Sequence, residues 1–225
     1  MLQQSNSSSP TRPDYIVDIK RGVLSFRSLL PGPPGLMPAV FLDRDGVVNR
    51  HTPGEYVTRW AEFKILPGVP QALRRLRRAG FRLVIVSNQA GVPKGFLERD
   101  ELIRMTDISL RKFKAAGAAV DGAFFCLHHP NQDCSCRKPK PGLLRVAAHF
   151  FPTDFSRSFL IGDSLVDILA GAAMTCRTIY LAAKPDASVP ATYQAGNLSQ
   201  AVRWIISNQA RDPEEPRYKR STKSQ

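Results

Sequence analysis

Val40-Phe41-Leu42-Asp43-Arg44-Asp45-Gly46-Val47-Val48-Asn49 is the stretch on which the reading of this chain turns. Ala39 to Leu42 is a short apolar run of the kind that forms a buried strand. It stops at two aspartates one residue apart, followed by a glycine. Carboxylates at the carboxyl end of a buried strand stand where open α/β sheets place their ligands. With 13 aspartates in 225 residues, chance supplies about 0.7 Asp-x-Asp pairs per chain. Alone, then, the pair reads equally well as a strand running into an Asp/Gly turn.

Four further apolar runs repeat the pattern. Phe81 to Val86 ends in Ser87-Asn88-Gln89, and Gly122 to Leu127 carries Cys126 and leads into His128. Ser158 to Ile161 ends in Gly162-Asp163, and Arg177 to Ala182 completes the series. Between them the spacing predicts helices over residues 70–79, 97–116, 141–150, 164–174 and 198–207. The first is closed by Gly80; the second carries Ile103, Thr106, Leu110 and Phe113 as its inner stripe. Strands alternating with helices make an α/β protein with a doubly wound, Rossmann-like parallel sheet. The carboxyl ends of parallel strands share one edge, so Asp43, Asp45, Ser87, Cys126, His128 and Asp163 converge there. That convergence lifts the aspartate pair above chance.

The length suits one domain with tails. A hydrophobic content of 43% and a charged content of 23% are those of an ordinary globular protein and speak against a disordered or fibrous one. The net charge of +13 suits an anionic substrate, a nucleic acid or an acidic surface. It suits equally a set of solvated faces such as Arg74, Arg75, Arg77 and Arg78. No apolar run reaches transmembrane length, and the N-terminus lacks a secretory-type apolar segment. Three of the four cysteines lie between 126 and 136, which favours a reduced compartment with bound metal over a disulfide scaffold. The expectation is a cytoplasmic monomer with no membrane partner.

Residues 1–38 read as a flexible N-terminal extension. Ser5 to Pro13 is Ser/Pro-rich and expected to be disordered. Pro31 to Gly35 reads as a linker, and Tyr15 to Leu30 carries apolar residues without a clean period. Asp14 and Asp18 argue against a transit peptide. Met37 stands just before the first strand, so the functional protein is expected to begin there. Removing residues 1–36 is expected to leave the melting temperature nearly unchanged. The catalytic domain then spans 39–208, and 209–225 is a charged C-terminal tail.

The chemistry follows from residue types. Asp43, Asp45 and Asp163 brought together repel one another unless a cation is present, and oxygen ligands with bound water suit Mg²⁺. The Lys138 ammonium and the Ser87 hydroxyl suit phosphate oxygens. An aspartate can accept a phosphoryl group, and a second can act as acid and then base. Singly, Asp163 reads as a helix cap, Lys138 as a surface lysine and Ser87 as a strand end. Cys126-x-His128 followed by Cys134-x-Cys136 offers three thiolates and an imidazole, a closed tetrahedral set for structural Zn²⁺. His129 competes with His128 for the fourth position. Cys176 lies apart and reads as a core cysteine.

Four motifs carry a resemblance. Phe41-Leu42-Asp43-Arg44-Asp45-Gly46, Val86-Ser87-Asn88-Gln89, Arg137-Lys138-Pro139 and Gly162-Asp163-x-x-x-Asp167 are similar, in order, to those of haloacid dehalogenase superfamily phosphatases. The resemblance implies Asp43 as nucleophile and Asp45 as acid and base. It implies Mg²⁺ on Asp43, the Asp45 carbonyl and Asp163, with Ser87 and Lys138 on the phosphoryl group and Asp167 in support. The spacing leaves no room for a large cap domain. The stretch from Cys126 to Gly142 resembles the zinc-loop group of that superfamily, which implies His128 rather than His129 as ligand. Within that group its His-His-Pro run and Pro141-Gly142 resemble the enzymes acting on a sugar phosphate, and the resemblance implies the 7-phosphate of D-glycero-D-manno-heptose 1,7-bisphosphate as substrate. By the same resemblance Arg137 recognises the substrate, and Asn88, Gln89, Thr52, Pro53, Gly54 and Tyr56 line its path. Histidinol phosphate, a polynucleotide 3′-phosphate and a purely nucleic-acid-binding role are the alternatives; the complete acidic constellation speaks against the last.

Overall fold

The structure is a computed structural model and describes residues 14–29, 35–52 and 54–209. Eight strands form one sheet: β1 (Tyr15–Lys20), β2 (Val23–Ser28), β3 (Ala39–Leu42), β4 (Arg82–Asn88), β5 (Gly122–Cys126), β6 (Phe159–Gly162), β7 (Arg177–Leu181) and β8 (Tyr193–Ala195). Their lateral order is β1-β2-β5-β4-β3-β6-β7-β8. From β5 across to β8 every pairing is parallel, whereas β1–β2 and β2–β5 are antiparallel.

Helices lie on both faces, as crossovers between parallel strands require. The apolar sides of α1 (Val69–Arg78), α2 (Arg99–Ala115) and α5 (Leu198–Ser207) join one core cluster. Those of α3 (Gly142–Phe150) and α4 (Leu165–Ala172) join the other. β3 alternates between them: Val40 and Leu42 face the first, Ala39 and Phe41 the second. All four are fully buried, and that is why the strand reads as an unbroken apolar run.

β3 is flanked by β4 on one side and β6 on the other. The winding reverses at β3, and the crevice at such a switch point lies beyond the strands' carboxyl ends. No domain is inserted among the described residues between β3 and α1 or between β4 and β5 apart from α2. Among the described residues no helix is long and apolar enough to cross a membrane.

The reading of residues 1–38 as an appendage is corrected by the sheet. β1 and β2 form a hairpin whose second strand pairs with β5, from Val23 opposite Cys126 to Arg27 opposite Gly122. Leu24 and Phe26 are fully buried, and the buried Tyr15 donates from its hydroxyl to Val120 O at 2.9 Å. Met37, expected as the start of the functional part, bridges to Thr153 after this hairpin. The apolar residues of β2 cover the side of β5 that β4 leaves open. The calls on Ser5 to Pro13, on residues 31–34 of the linker and on 210–225 of the tail lie outside the described residues.

Candidate active site

Asp43 is the first residue past β3, and its N–H donates to Ile161 O at 2.9 Å, latching the strand end to β6. Its side chain is buried, as is that of Lys138. The Lys138 ammonium donates to Asp43 Oδ1 at 2.7 Å, to Asp167 Oδ1 at 2.5 Å and to Val86 O at 2.9 Å. All three of its donors are thereby used. Burial works against its charge, but Asp167 and Asp43 outweigh that and hold its pKa above the ordinary lysine value. Burial pushes the Asp43 carboxyl up to about 6; Lys138 pulls it down, and Asp167 and Asp45 push it further up.

Asp163 follows β6 and faces Asp43. Burial, then the charge of Asp43, pushes its carboxyl up to about 6. Gly46 makes this approach possible. Its φ is +82°, and a Cβ there would stand 1.8 Å from Asp163 Oδ2. Gly162 does the same for Asp167, whose Cβ would lie 2.2 Å from a Cβ on the glycine. Asp167 sits in the first turn of α4, where its Oδ2 accepts from Ser164 N at 3.2 Å while Oδ1 takes Lys138. This is half of a helix-start box turned to site support.

The sequence placed Asp43, Asp45 and Asp163 in one carboxylate cluster. The oxygens that gather are instead those of Asp43, Asp163 and Asp167, within 4.8 Å of one another. The Asp45 carboxylate is held apart by Arg44, whose Nε and Nη2 fork onto both its oxygens at 2.9–3.2 Å. Asn49 Nδ2 adds a bond at 2.9 Å and Gln89 Nε2 one at 3.0 Å. Burial raises its pKa, yet the Arg44 charge and these bonds outweigh burial and hold it below the usual carboxylate value. Ser87 is buried beside it, its Oγ accepting from Gln89 at 3.2 Å.

Asp43, Asp45, Ser87, Asn88, Gln89, Lys138, Asp163 and Asp167 all line one cavity of about 190 Å³. A second cleft of about 580 Å³ shares His51, Glu55, Tyr56 and Val57 with it and continues past Thr52 and Phe96. Tyr56 stacks on Phe96 with ring centroids 5.3 Å apart. Gly54 turns the chain at φ +86° and lines neither cleft, and Pro53 lies outside the described residues. Arg137 does not line the catalytic cavity; its Nη1 is buried with no hydrogen-bond partner among the described residues. Asn88 reaches the cavity, but its amide is committed to the Lys138 backbone in both directions. Arg44, Asn49 and His51 were given no role in the sequence. Arg44 and Asn49 stand within the opening motif, and that proximity to Asp45 was the available signal.

Beyond β5 the loop from His128 to Cys136 folds back on Cys126. Cys126 Sγ lies 3.6 Å from His128 Nδ1, 3.7 Å from Cys134 Sγ and 3.2 Å from Cys136 Sγ. His128 Nδ1 to Cys136 Sγ is 3.2 Å, and Cys136 Sγ to Cys134 Sγ is 3.7 Å. Ligands on a tetrahedral zinc with bonds of about 2.0–2.3 Å stand about 3.4–3.8 Å apart, so this donor set fits one. A hydrogen bond from Cys136 outweighs burial and pulls the Cys126 thiol down to about 5, toward the thiolate a metal takes. His129 is engaged elsewhere, its Nδ1 accepting from Asn131 N at 3.2 Å. Cys176 is buried apart from the cluster, and burial pushes its thiol up to about 12.

A parallel sheet with this acidic crevice defines a class, and the chain belongs to the haloacid dehalogenase-like hydrolases, whose family model matches residues 6–175. Among its relatives, the D-glycero-beta-D-manno-heptose-1,7-bisphosphate 7-phosphatase of Helicobacter pylori (strain J99) is 32% identical over 169 residues, 74% of this chain and 96% of that one. The Yersinia pestis protein of the same name is 33% identical over 192 residues, 81% of this chain and 98% of its own. The crystal structure of D,D-heptose 1,7-bisphosphate phosphatase from B. bronchiseptica, complexed with magnesium and phosphate, matches with a TM-score of 0.68 at 30% identity. That match covers 76% of this chain and 99% of that one.

Proposed function

We propose that this chain is a phosphoric monoester hydrolase that removes the 7-phosphate of D-glycero-D-manno-heptose 1,7-bisphosphate. The observation that carries the reaction class is the arrangement at Asp43: a buried carboxylate held at 2.7 Å by Lys138, facing Asp163, with Asp45 separately clamped by Arg44. The substrate rests on the named relatives, which this chain matches over nearly their whole length.

Asp43 attacks phosphorus, forming a P–O bond to its carboxylate as the bond to the sugar oxygen breaks. Asp45, which must first take up a proton against the Arg44 charge that holds it ionised, gives that proton to the leaving oxygen. Asp45 then takes a proton from water, whose oxygen attacks phosphorus and releases inorganic phosphate and the free Asp43 carboxylate. Ser87 donates to a phosphoryl oxygen. Lys138, its donors committed to Asp43, Asp167 and Val86 O, sets its positive charge beside the phosphoryl group. Arg44, Asn49 and Gln89 keep Asp45 aimed. Asp167 keeps Lys138 charged and in place. The cleft lined by Thr52, Tyr56 and Phe96 takes the sugar. Arg137, whose Nη1 has no hydrogen-bond partner among the described residues, serves the second phosphate with its planar fork.

Asp43, Asp163 and the Asp45 carbonyl are the groups to hold Mg²⁺. A buried Asp43 beside a half-buried Asp163, whose carboxyl burial and the Asp43 charge push upward, is a donor set that a divalent cation relieves. When bound, Mg²⁺ supplies positive charge to the phosphoryl oxygens. Zn²⁺ on Cys126, His128, Cys134 and Cys136 shapes the loop that carries Arg137 and Lys138. We place the protein in the cytoplasm, with the catalytic domain at 39–208 supported by the N-terminal hairpin.

The test is phosphate release from heptose bisphosphate, histidinol phosphate and 3′-phosphorylated DNA. Heptose bisphosphate should give the highest kcat/KM. Losing the Arg137 contact in Arg137→Ala should lower kcat/KM about 10- to 100-fold for the bisphosphate, on the order of 1.5–3 kcal/mol. A simple monoester should be little affected. A higher value for histidinol phosphate, or an equal penalty on both esters, would overturn the substrate.

A further inference from the structure

We propose that β1 is a self-association edge, at which two copies of this chain join their sheets antiparallel about a two-fold axis through Val17. Among the described residues β1 ends the lateral order of the sheet and is paired on one side only. Five of its six residues are exposed, and Ile16, Val17 and Ile19 are among the large apolar side chains left exposed by the described residues. An edge strand of β-branched residues is a ready template for another strand.

The register follows from the hairpin. Leu29 N donates to Asp14 O at 3.1 Å, and the pairing continues without a bulge from Tyr15 opposite Ser28 to Lys20 opposite Val23. In an antiparallel ladder hydrogen-bonded pairs alternate with non-bonded ones. Ile16, Asp18 and Lys20 therefore spend their backbone groups on β2, and Tyr15, Val17 and Ile19 present theirs outward. A second β1 must set odd-numbered residues opposite odd-numbered ones. Centring on Asp18 places that carboxylate opposite itself, and centring on Ile16 places Asp14 opposite Asp18. Centring on Ile19 draws in Arg21, whose φ of +50° ends the strand.

Centring on Val17 avoids all three faults. Val17 meets its own copy, Tyr15 meets Ile19, and Asp14 stands opposite Lys20 on both sides of the axis. Opposed charges on facing strands are favourable, and like charges are not. Asp14 already bonds Lys114 at 2.5 Å, so it would link a cation of each copy. The fit is to a second copy of this chain because this one sequence supplies both halves of the charge pattern. This interface lies beyond the hydrolase reading and does not depend on it.

The experiment is sedimentation velocity of the full-length protein across a concentration series. A reversible monomer–dimer equilibrium is expected, with a dissociation constant on the order of tens of micromolar for so small a contact. Val17→Lys, which sets two ammonium groups against each other, should shift it at least tenfold toward monomer with unchanged phosphatase activity and melting temperature. Under mild oxidation Val17→Cys should give a disulfide-linked dimer, whereas Ile19→Cys should not, because its copy stands four residues away along the strand. A wild type that stays monomeric throughout the series overturns the proposal. So does a dimer that Val17→Lys leaves intact, or equal cross-linking of the two cysteine variants. Dimerisation only after deletion of residues 1–12 would overturn it too, and would assign the edge to the chain's own N-terminal segment.

Discussion

Asn88 holds Lys138 by the backbone rather than reaching for a ligand: its Nδ2 donates to Lys138 O at 3.0 Å, and Lys138 N donates to its Oδ1 at 3.0 Å. The carboxyl end of β4 thus fixes the segment that delivers the ammonium to Asp43. Removing both bonds in Asn88→Ala should lower kcat about 10- to 100-fold, on the order of 1.5–3 kcal/mol, with little change in KM. Steady-state kinetics on the bisphosphate and on a simple monoester separate the two roles. A rise in KM confined to the bisphosphate would make Asn88 a substrate contact instead of a positioning residue.

Asp43→Asn should abolish turnover without unfolding the protein. The amide cannot form the acyl phosphate, and Lys138 keeps Asp167 and Val86 O as partners. Its melting temperature should equal or exceed that of wild type, since a carboxylate disfavoured by burial is removed. Acid-quenched wild type should carry phosphate on the peptide containing Asp43. Near-normal activity in the variant would refute the nucleophile.

Cys134→Ser should separate the two metals. Zinc content should fall and the melting temperature should drop, as for a structural site, while kcat per folded molecule changes by less than about threefold. Activity should still depend on added Mg²⁺. Elemental analysis and a thermal scan decide the matter; a carefully prepared wild type without zinc would refute the loop assignment.

Deleting residues 1–36 should damage the fold. Tyr15, Leu24 and Phe26 are buried, and fully burying such side chains is worth about 1.5–3 kcal/mol each. At roughly 2–4 °C per kcal/mol for a domain of this size, the loss should be on the order of 10–35 °C. Differential scanning fluorimetry measures it directly, and a shift within error would mean the hairpin is dispensable after all.

Gly22→Ala should loosen the zinc loop. Gly22 has φ +71°, and a Cβ there would lie 2.4 Å from His128 Cε1. Gly80 is the matched control, with φ +87° and no atom within 4 Å of a built Cβ. Gly80→Ala should cost about 1 kcal/mol of stability from backbone strain alone. Only Gly22→Ala should speed the transfer of zinc to a chromogenic chelator. Equal rates in the two variants would detach the hairpin turn from the metal cluster.

Much of the fold was legible because buried parallel strands announce themselves as apolar runs. β3, β4, β5 and β6 each end where a polar cluster begins, β7 is a further apolar run, and α5 falls at Leu198–Ser207 as its spacing indicates. β8 has three residues and carries too little pattern. β1 is exposed on both faces, so its side chains keep no alternation. β2 did carry a signal: Leu24 and Phe26 alternate with Ser25 and Arg27, but the adjacent Val23 and the proline-rich segment after it obscured the period. In the site, strand ends located Asp43, Ser87 and Asp163. The commitment of Asn88 to a backbone fifty positions away was not legible. Nor was the diversion of Asp45 to Arg44, since a linear motif does not say which way two neighbouring carboxylates turn.

The pairing of β2 with β5 also sets a timetable for synthesis. Val23 meets Cys126 and Arg27 meets Gly122, so the partner strand leaves the ribosome about a hundred residues after the hairpin. At about 5–20 residues per second, Leu24 and Phe26 wait roughly 5–20 s with nothing to cover. Cys134 and Cys136 emerge only just after β5, so closure of the sheet and capture of the metal fall in the same brief interval. A nascent chain arrested short of Cys126 should therefore bind a chaperone through its first thirty residues, and the chain released from the ribosome should not.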